Sequence, residues 1–180
     1  MIPLGTIAPD FTLLDVVSQS QMSLTRLRGE RATVIMFICN HCPYVQHLGA
    51  GIVALSNEYQ EMGVAFAGIS ANDAGAFPAD GPDMMQLTAK KHSYNFPYLY
   101  DELQEVAKSY GASCTPDLFI FDENLKLAYH GQFDDSRPEN DLPVTGASFR
   151  HALDHIIAGK EITLPQIPSI GCSIKWTSQI

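Results

Sequence analysis

The chain has 180 residues, enough for one domain with a sizeable core. Hydrophobic content of 46% and charged content of 17% describe an ordinary globular protein, and four cysteines are too few for a disulfide-stapled scaffold. A formal net charge of −9, with 11 basic residues and no basic run, argues against nucleic acid and anionic membranes as partners.

Residues 1–31 read as an extended lead-in. The opening stretch lacks the basic region and the long apolar core of a signal peptide. No stretch approaches the roughly 20 apolar residues of a membrane helix. A cytoplasmic protein with no membrane association is the expectation. Phe11, Leu13 and Asp15, then Met22-Ser23-Leu24 after a polar break at 18–21, predict a two-stranded ribbon. Arg28-Gly29-Glu30-Arg31 marks a loop.

Residues 32–38 are a continuous apolar run of strand length, which predicts a buried central strand. After Pro43, residues Val45, Leu48, Ile52, Leu55, Tyr59 and Met62 recur at the spacing of a one-sided amphipathic helix, stopped by Gly63. Residues 64–70 form a second apolar run, so the three elements predict a βαβ unit with parallel pairing. Residues 71–81 read as a loop, and Pro82-Asp83 opens a helix to about His92 carrying Met84, Met85, Leu87 and Lys91.

Phe96 to Tyr100 predicts a short strand. Leu103, Val106, Ala107 and Tyr110 predict a short helix ended by Gly111. Leu118 to Phe121 and Leu125 to Tyr129 flank a turn at 122–124, a β-hairpin. The polar, acidic stretch 131–143 reads as a solvated loop. Phe149, Ala152, Leu153, Ile156 and Ile157 predict the last helix, with Gly159 past its end. Residues 161–180 carry Pro165 and Pro168 and read as an extended tail packed on the domain formed by 1–160. A ribbon, a βαβ unit, a helix, a hairpin and a helix make an α/β fold: a central mixed sheet with helices on both faces.

The chemistry concentrates in Cys39-Asn40-His41-Cys42-Pro43, at the junction of the first buried strand and the helix. Two cysteines separated by two residues at such a junction point to thiol–disulfide exchange. Cys39 is expected at or just before the helix start, where free N–H groups and the helix dipole favour a thiolate. A protonated His41 would favour it further. Cys39 is then the nucleophile and Cys42 the resolving thiol.

Three stretches carry a resemblance: Gly5-Thr6-Ile7-Ala8-Pro9-Asp10-Phe11-Thr12-Leu13, the Cys39–Cys42 motif, and Thr115-Pro116. Together they resemble the thioredoxin-fold redoxins, the group uniting thiol–disulfide oxidoreductases of the TlpA and ResA type with peroxiredoxins. The resemblance covers roughly residues 3–160 and implies a thioredoxin-like three-layer fold. It also implies a cis-proline at Pro116 facing the cysteines, with Thr115 aligning a bound chain. The tail Gly171-Cys172-Ser173-Ile174-Lys175-Trp176 resembles that of bacterial proteins labelled thioredoxin-family. Where thioredoxin has a tryptophan before the first cysteine, this chain has Ile38, and its buried acid falls at Thr33. The peroxiredoxin pattern Pro-x-x-x-Thr/Ser-x-x-Cys is broken at Ala32 and Met36.

The resulting expectation is a thiol–disulfide oxidoreductase. It acts on protein or small-molecule disulfides, works with a reductase or oxidant partner, and needs no bound cofactor and no metal. Cys39, Cys42, His41, Thr115 and Pro116 carry the reaction. Cys114 and Cys172 are accessory thiols, with a buried structural role the favoured reading of Cys114. A thiol peroxidase and a copper or zinc carrier using the cysteines with His41 or His47 are the alternatives. His151 and His155, four apart on the last helix, read as a solvated face.

Overall fold

The computed structural model describes residues 2–178. Its centre is a seven-stranded mixed sheet of order β2-β1-β5-β4-β3-β7-β8. The strands are β1 (Thr12–Asp15), β2 (Ser20–Ser23), β3 (Ala32–Phe37), β4 (Val64–Ser70), β5 (Tyr98–Tyr100), β7 (Asp117–Asp122) and β8 (Leu127–His130). A separate two-stranded pair joins β6 (Cys114–Thr115) to β9 (Cys172–Ser173). The helices are α1 (Leu24–Leu27), α2 (Pro43–Gln60), α3 (Pro82–Lys91), α4 (Glu105–Tyr110) and α5 (Ala147–Ile157). No helix among the described residues is long and apolar enough to cross a membrane.

β3 is the axis of this sheet. All six of its residues are buried, because it pairs parallel with β4 and antiparallel with β7. Its side chains alternate between two cores. Val34 and Met36 join α2, α3 and α5 on one face. Ile35 and Phe37 join α1 and α4 on the other. α2 buries Val45, Leu48, Ile52, Leu55 and Tyr59, each aliphatic one contributing roughly 1.5–3 kcal/mol. That burial anchors the helix whose first turn borders the cysteines.

The ribbon, the βαβ unit, the hairpin and the last helix stand where the sequence pattern places them. Gly63 and Gly111 end their helices with φ of 84° and 64°. Several details differ. α1 is a short helix capped by the Ser23 side chain, in a stretch read as strand and loop. On α3 only Met85 and Ala89 are buried, while Met84 and Leu87 face outward. Leu103 lies outside α4 and is exposed.

The acidic stretch 131–143 is not a solvated loop. Gln132, Phe133, Asp134 and Ser136 are buried. Asp134 accepts from the N–H groups of Ser136, Thr145 and Gly146 at 2.9, 2.6 and 2.6 Å. Against the upward pull of burial, Ser136 and those N–H groups hold its carboxyl below the ordinary value. Polar composition gave no sign that one carboxylate would organise the approach to α5.

Candidate active site

β3 stops at Phe37 and α2 starts at Pro43, so Cys39 to Cys42 form the connecting loop. This moves the helix terminus relative to expectation. Cys42 is the N-cap residue and Cys39 lies four residues before the first helical one. Pro43 explains the shift: the residue before a proline is pushed to extended backbone, and Cys42 has φ −70° and ψ 122°. The helix dipole therefore acts first on Cys42.

Both sulfurs meet Thr115. Cys39 Sγ lies 3.3 Å from the Thr115 hydroxyl, and Cys42 Sγ donates to the Thr115 carbonyl at 3.0 Å. The Thr115–Pro116 bond is cis. Cys39 and Cys42 are free thiols, both buried and both held by Thr115. Each thiol alters the charge of the other, so the pair titrates as a unit. The neighbouring Cys39 thiol brings Cys42 down to about 4, against burial and with help from Thr115 and from the N–H groups of Cys172 and Val45. Cys39 is pushed up by its Cys42 neighbour first, then by burial. In the other placement of the proton, Cys42 keeps it for the Thr115 carbonyl and Cys39 carries the charge. The 3.0 Å contact fits that second arrangement.

The loop is held by a residue that the sequence pattern did not single out. Asp80 ends a single 3₁₀ turn (Pro78–Asp80) and is fully buried. Its Oδ1 accepts from the N–H groups of Asn40 and His41 at 2.8 and 3.2 Å. Its Oδ2 accepts from Asn72 Nδ2 at 2.8 Å and lies 2.5 Å from His41 Nδ1. The His41 ring also stacks on Phe77 at 5.5 Å. Ligand atoms of Cys39, His41 and Asp80 all lie within 4.8 Å of one another. An acidic residue in a loop of alanines and glycines carries no pattern; its burial is visible only in three dimensions.

The tail closes over this site. β9 pairs antiparallel with β6, setting Cys172 opposite Thr115 and Ser173 opposite Cys114. Gly171 runs so close that a Cβ there would lie 2.0 Å from the Thr115 carbonyl oxygen. Ile174 is buried, and the Lys175 N–H donates to Asn72 Oδ1 at 2.8 Å. Asn72 thus joins the tail to Asp80. The Lys175 carbonyl accepts from Asp73 N–H and Gln104 Nε2.

Of the remaining expected residues, Cys114 is half-buried, and its thiol approaches the Pro116 carbonyl at 3.6 Å. Burial and nearby Asp117 push it up to about 12, which leaves it a thiol. His47 is half-buried on α2 and lies 3.1 Å from the Ser136 hydroxyl. The His151 and His155 rings lie 3.9 Å apart, tilted by 35°, with His155 Nδ1 on the His151 carbonyl. A second unforeseen pair is His130 and Asp117, buried, with 2.6 Å between Nε2 and Oδ1. It braces the strand that follows Pro116.

A pocket of about 450 Å³ opens on Cys39, lined by Asn40, His41, Gln46, Met84, His92 and Tyr94 among others. Cys42 does not line it. A larger groove of about 620 Å³ lies along Asp10, Leu13, Tyr100 and Glu105 and contains no cysteine or histidine, so chemistry favours the smaller one.

The AhpC/TSA family profile matches residues 4–130. The chain belongs to the AhpC/TSA family. Among solved structures, an uncharacterized conserved protein from Geobacillus kaustophilus is 52% identical, with a TM-score of 0.98 covering 100% of this chain and 95% of that one. A hypothetical protein from Sinorhizobium meliloti 1021 is 43% identical, with a TM-score of 0.96 covering 99% and 97%. A putative thiol:disulfide interchange protein DsbE from Chlorobium tepidum shares the fold at 16% identity, with a TM-score of 0.68 covering 87% and 99%. No curated protein matches the chain. This AhpC/TSA-family protein has the thioredoxin fold and is an oxidoreductase that works by thiol redox chemistry.

Proposed function

We propose that the protein is a thiol–disulfide oxidoreductase using Cys39 and Cys42 as a dithiol. The observation that carries this reading is the meeting of both sulfurs on Thr115, beside the cis peptide to Pro116. Cys39 is the attacking sulfur because it alone of the two lines the pocket. As a disulfide R–S–S–R′ approaches, the shared proton stays on Cys42 and the Cys39 thiolate attacks one sulfur. The Cys39–S–S–R bond forms and R′–S⁻ leaves. Cys42 then gives up its proton to the departing R sulfur and attacks Cys39. The internal disulfide forms and R–SH departs. His41, fixed by Asp80 and Phe77, presents a ring nitrogen near Cys39.

The pocket size suits a small-molecule disulfide or one projecting side chain. Ala32 and Met36 on β3 offer no hydroxyl for a peroxide, which argues against the peroxidase reading. The metal-carrier reading draws on the cluster of Cys39, His41 and Asp80. It predicts stoichiometric zinc or copper that survives desalting and is lost in Cys39→Ser.

The test is a glutathione redox titration with thiol trapping and peptide mapping. Reversible formation of a Cys39–Cys42 disulfide supports the reading. Cys39→Ser abolishes turnover, and Cys42→Ser accumulates mixed disulfides on Cys39. Absence of the Cys39–Cys42 pair at every potential overturns it.

A further inference from the structure

Cys42 is buried and lies off the pocket, so thiols outside the molecule need another route to it. Thr115 offers the backbone edge beside those sulfurs, and the chain's own β9 already occupies it. Cys172 is opposite Thr115, partly exposed, and packs against the core that contains Cys39 and Cys42. Cys42 Sγ is bonded to the carbonyl of the same Thr115 that Cys172 faces, which brings Cys172 to the Cys42 side of the pair. Cys172 is therefore adjacent to the one member of the pair that does not line the pocket. The segment is firmly placed: Gly171 fits tightly on the Thr115 carbonyl, and the Lys175 N–H is bonded to Asn72.

Resting on the dithiol reading, we propose that Cys172 is a third redox residue, a relay thiol that exchanges with Cys42 and connects the buried pair to external thiols. After Cys39–Cys42 forms, the Cys172 sulfur attacks Cys42. The Cys39–Cys42 bond breaks, the Cys42–Cys172 bond forms, and Cys39 leaves as the thiolate. One disulfide replaces another, and the proton lost by Cys172 returns to Cys39. An external dithiol then attacks Cys172 at the surface, forming a mixed disulfide there and releasing Cys42. Its second sulfur resolves that bond, leaving the external partner oxidised and the protein reduced. The substrate side, at Cys39 and its pocket, is thereby separated from the reductant side at Cys172.

The resting dithiol suppresses premature exchange. Burial first, then the charge shared by the neighbouring dithiol, raise the Cys172 thiol, while Lys175 opposes them. Oxidation of the pair removes that shared charge, which makes Cys172 easier to ionise when its attack is required.

The test uses the full chain. Cys39→Ser is treated with oxidised glutathione, alkylated and digested with trypsin, which separates Cys42 (32–90), Cys114 (109–126) and Cys172 (161–175). The expected product joins peptide 32–90 to peptide 161–175 in most molecules, with glutathione released. In a second arm, Cys172→Ser in the otherwise intact chain should slow reduction of Cys39–Cys42 by dithiothreitol roughly tenfold or more. This arm still decides the matter if Cys39→Ser does not fold. A persistent glutathione adduct on Cys42, a Cys42–Cys114 link, or an unchanged reduction rate overturns the relay. If wild type forms Cys39–Cys42 normally in those cases, the dithiol reading stands without it. If wild type never forms that pair, the dithiol reading itself fails.

Discussion

The Asp80 carboxylate lies 2.5 Å from the His41 ring nitrogen Nδ1, beneath the loop that carries both cysteines. The same carboxylate receives the Asn40 and His41 N–H groups, so it fixes backbone and side chain together. Asp80→Ala leaves those half-buried donors and the buried Asn72 amide without their partner and should destabilise the fold by about 2–4 kcal/mol. Urea unfolding measures it. A change below about 0.5 kcal/mol would show that the loop holds itself.

The pH dependence follows from the shared proton. The pair loses its first proton well below the ordinary thiol value of 9.0 and its second well above it. Between about pH 4 and 9 the folded pair holds one proton and the unfolded thiols hold two, so stability rises with pH there. Above 9.0 the unfolded thiols hold none and the folded pair still holds one, so its contribution falls again. Ultraviolet absorbance of reduced protein should show one thiolate at pH 6, disappearing as pH falls toward 4. Cys42→Ser should lack it. A thiolate that appears only above pH 8 would sink this account.

Thr115→Val keeps the shape and removes the hydroxyl 3.3 Å from Cys39. The lost bond is worth about 0.5–1.5 kcal/mol to the Cys39 thiolate, or up to roughly tenfold in its rate of attack on a small disulfide. Stopped-flow kinetics with an aromatic disulfide reads this directly. An unchanged rate would assign the hydroxyl no part in the reaction.

Gly171→Ala places a methyl against the Thr115 carbonyl, at a distance no native contact has. β9 must shift, at a cost of about 1–3 kcal/mol. Alkylation of Cys42 by iodoacetamide should speed up in parallel, because the strand that covers it is displaced. Slower or equal alkylation would mean that β9 does not shield the pair.

Much of the architecture was legible because its signals are local and periodic. The apolar runs at 32–38 and 64–70 and the stripe Val45-Leu48-Ile52-Leu55 each record burial in their spacing. The cysteine motif carries its chemistry in two residue types. Asp80, the Asp117–His130 pair and Asp134 were not legible. Each is an acid whose burial depends on donors brought from elsewhere, and a carboxylate looks the same in sequence whether solvated or enclosed. The helix start was displaced by Pro43, a residue the sequence does show. Its effect on the preceding Cys42 set the helix start four residues after Cys39, whereas the sequence pattern places Cys39 at or just before that start.

The pairing of Cys172 with Thr115 has a temporal side. A chain made from its N-terminus acquires β3, the cysteine loop and the hairpin long before β9 exists. Until that last strand docks, Thr115 presents an open edge and the two thiols lie uncovered. If Cys39 and Cys42 are the redox pair, the newly made protein should be at its most oxidisable in the interval before residue 172 takes its place.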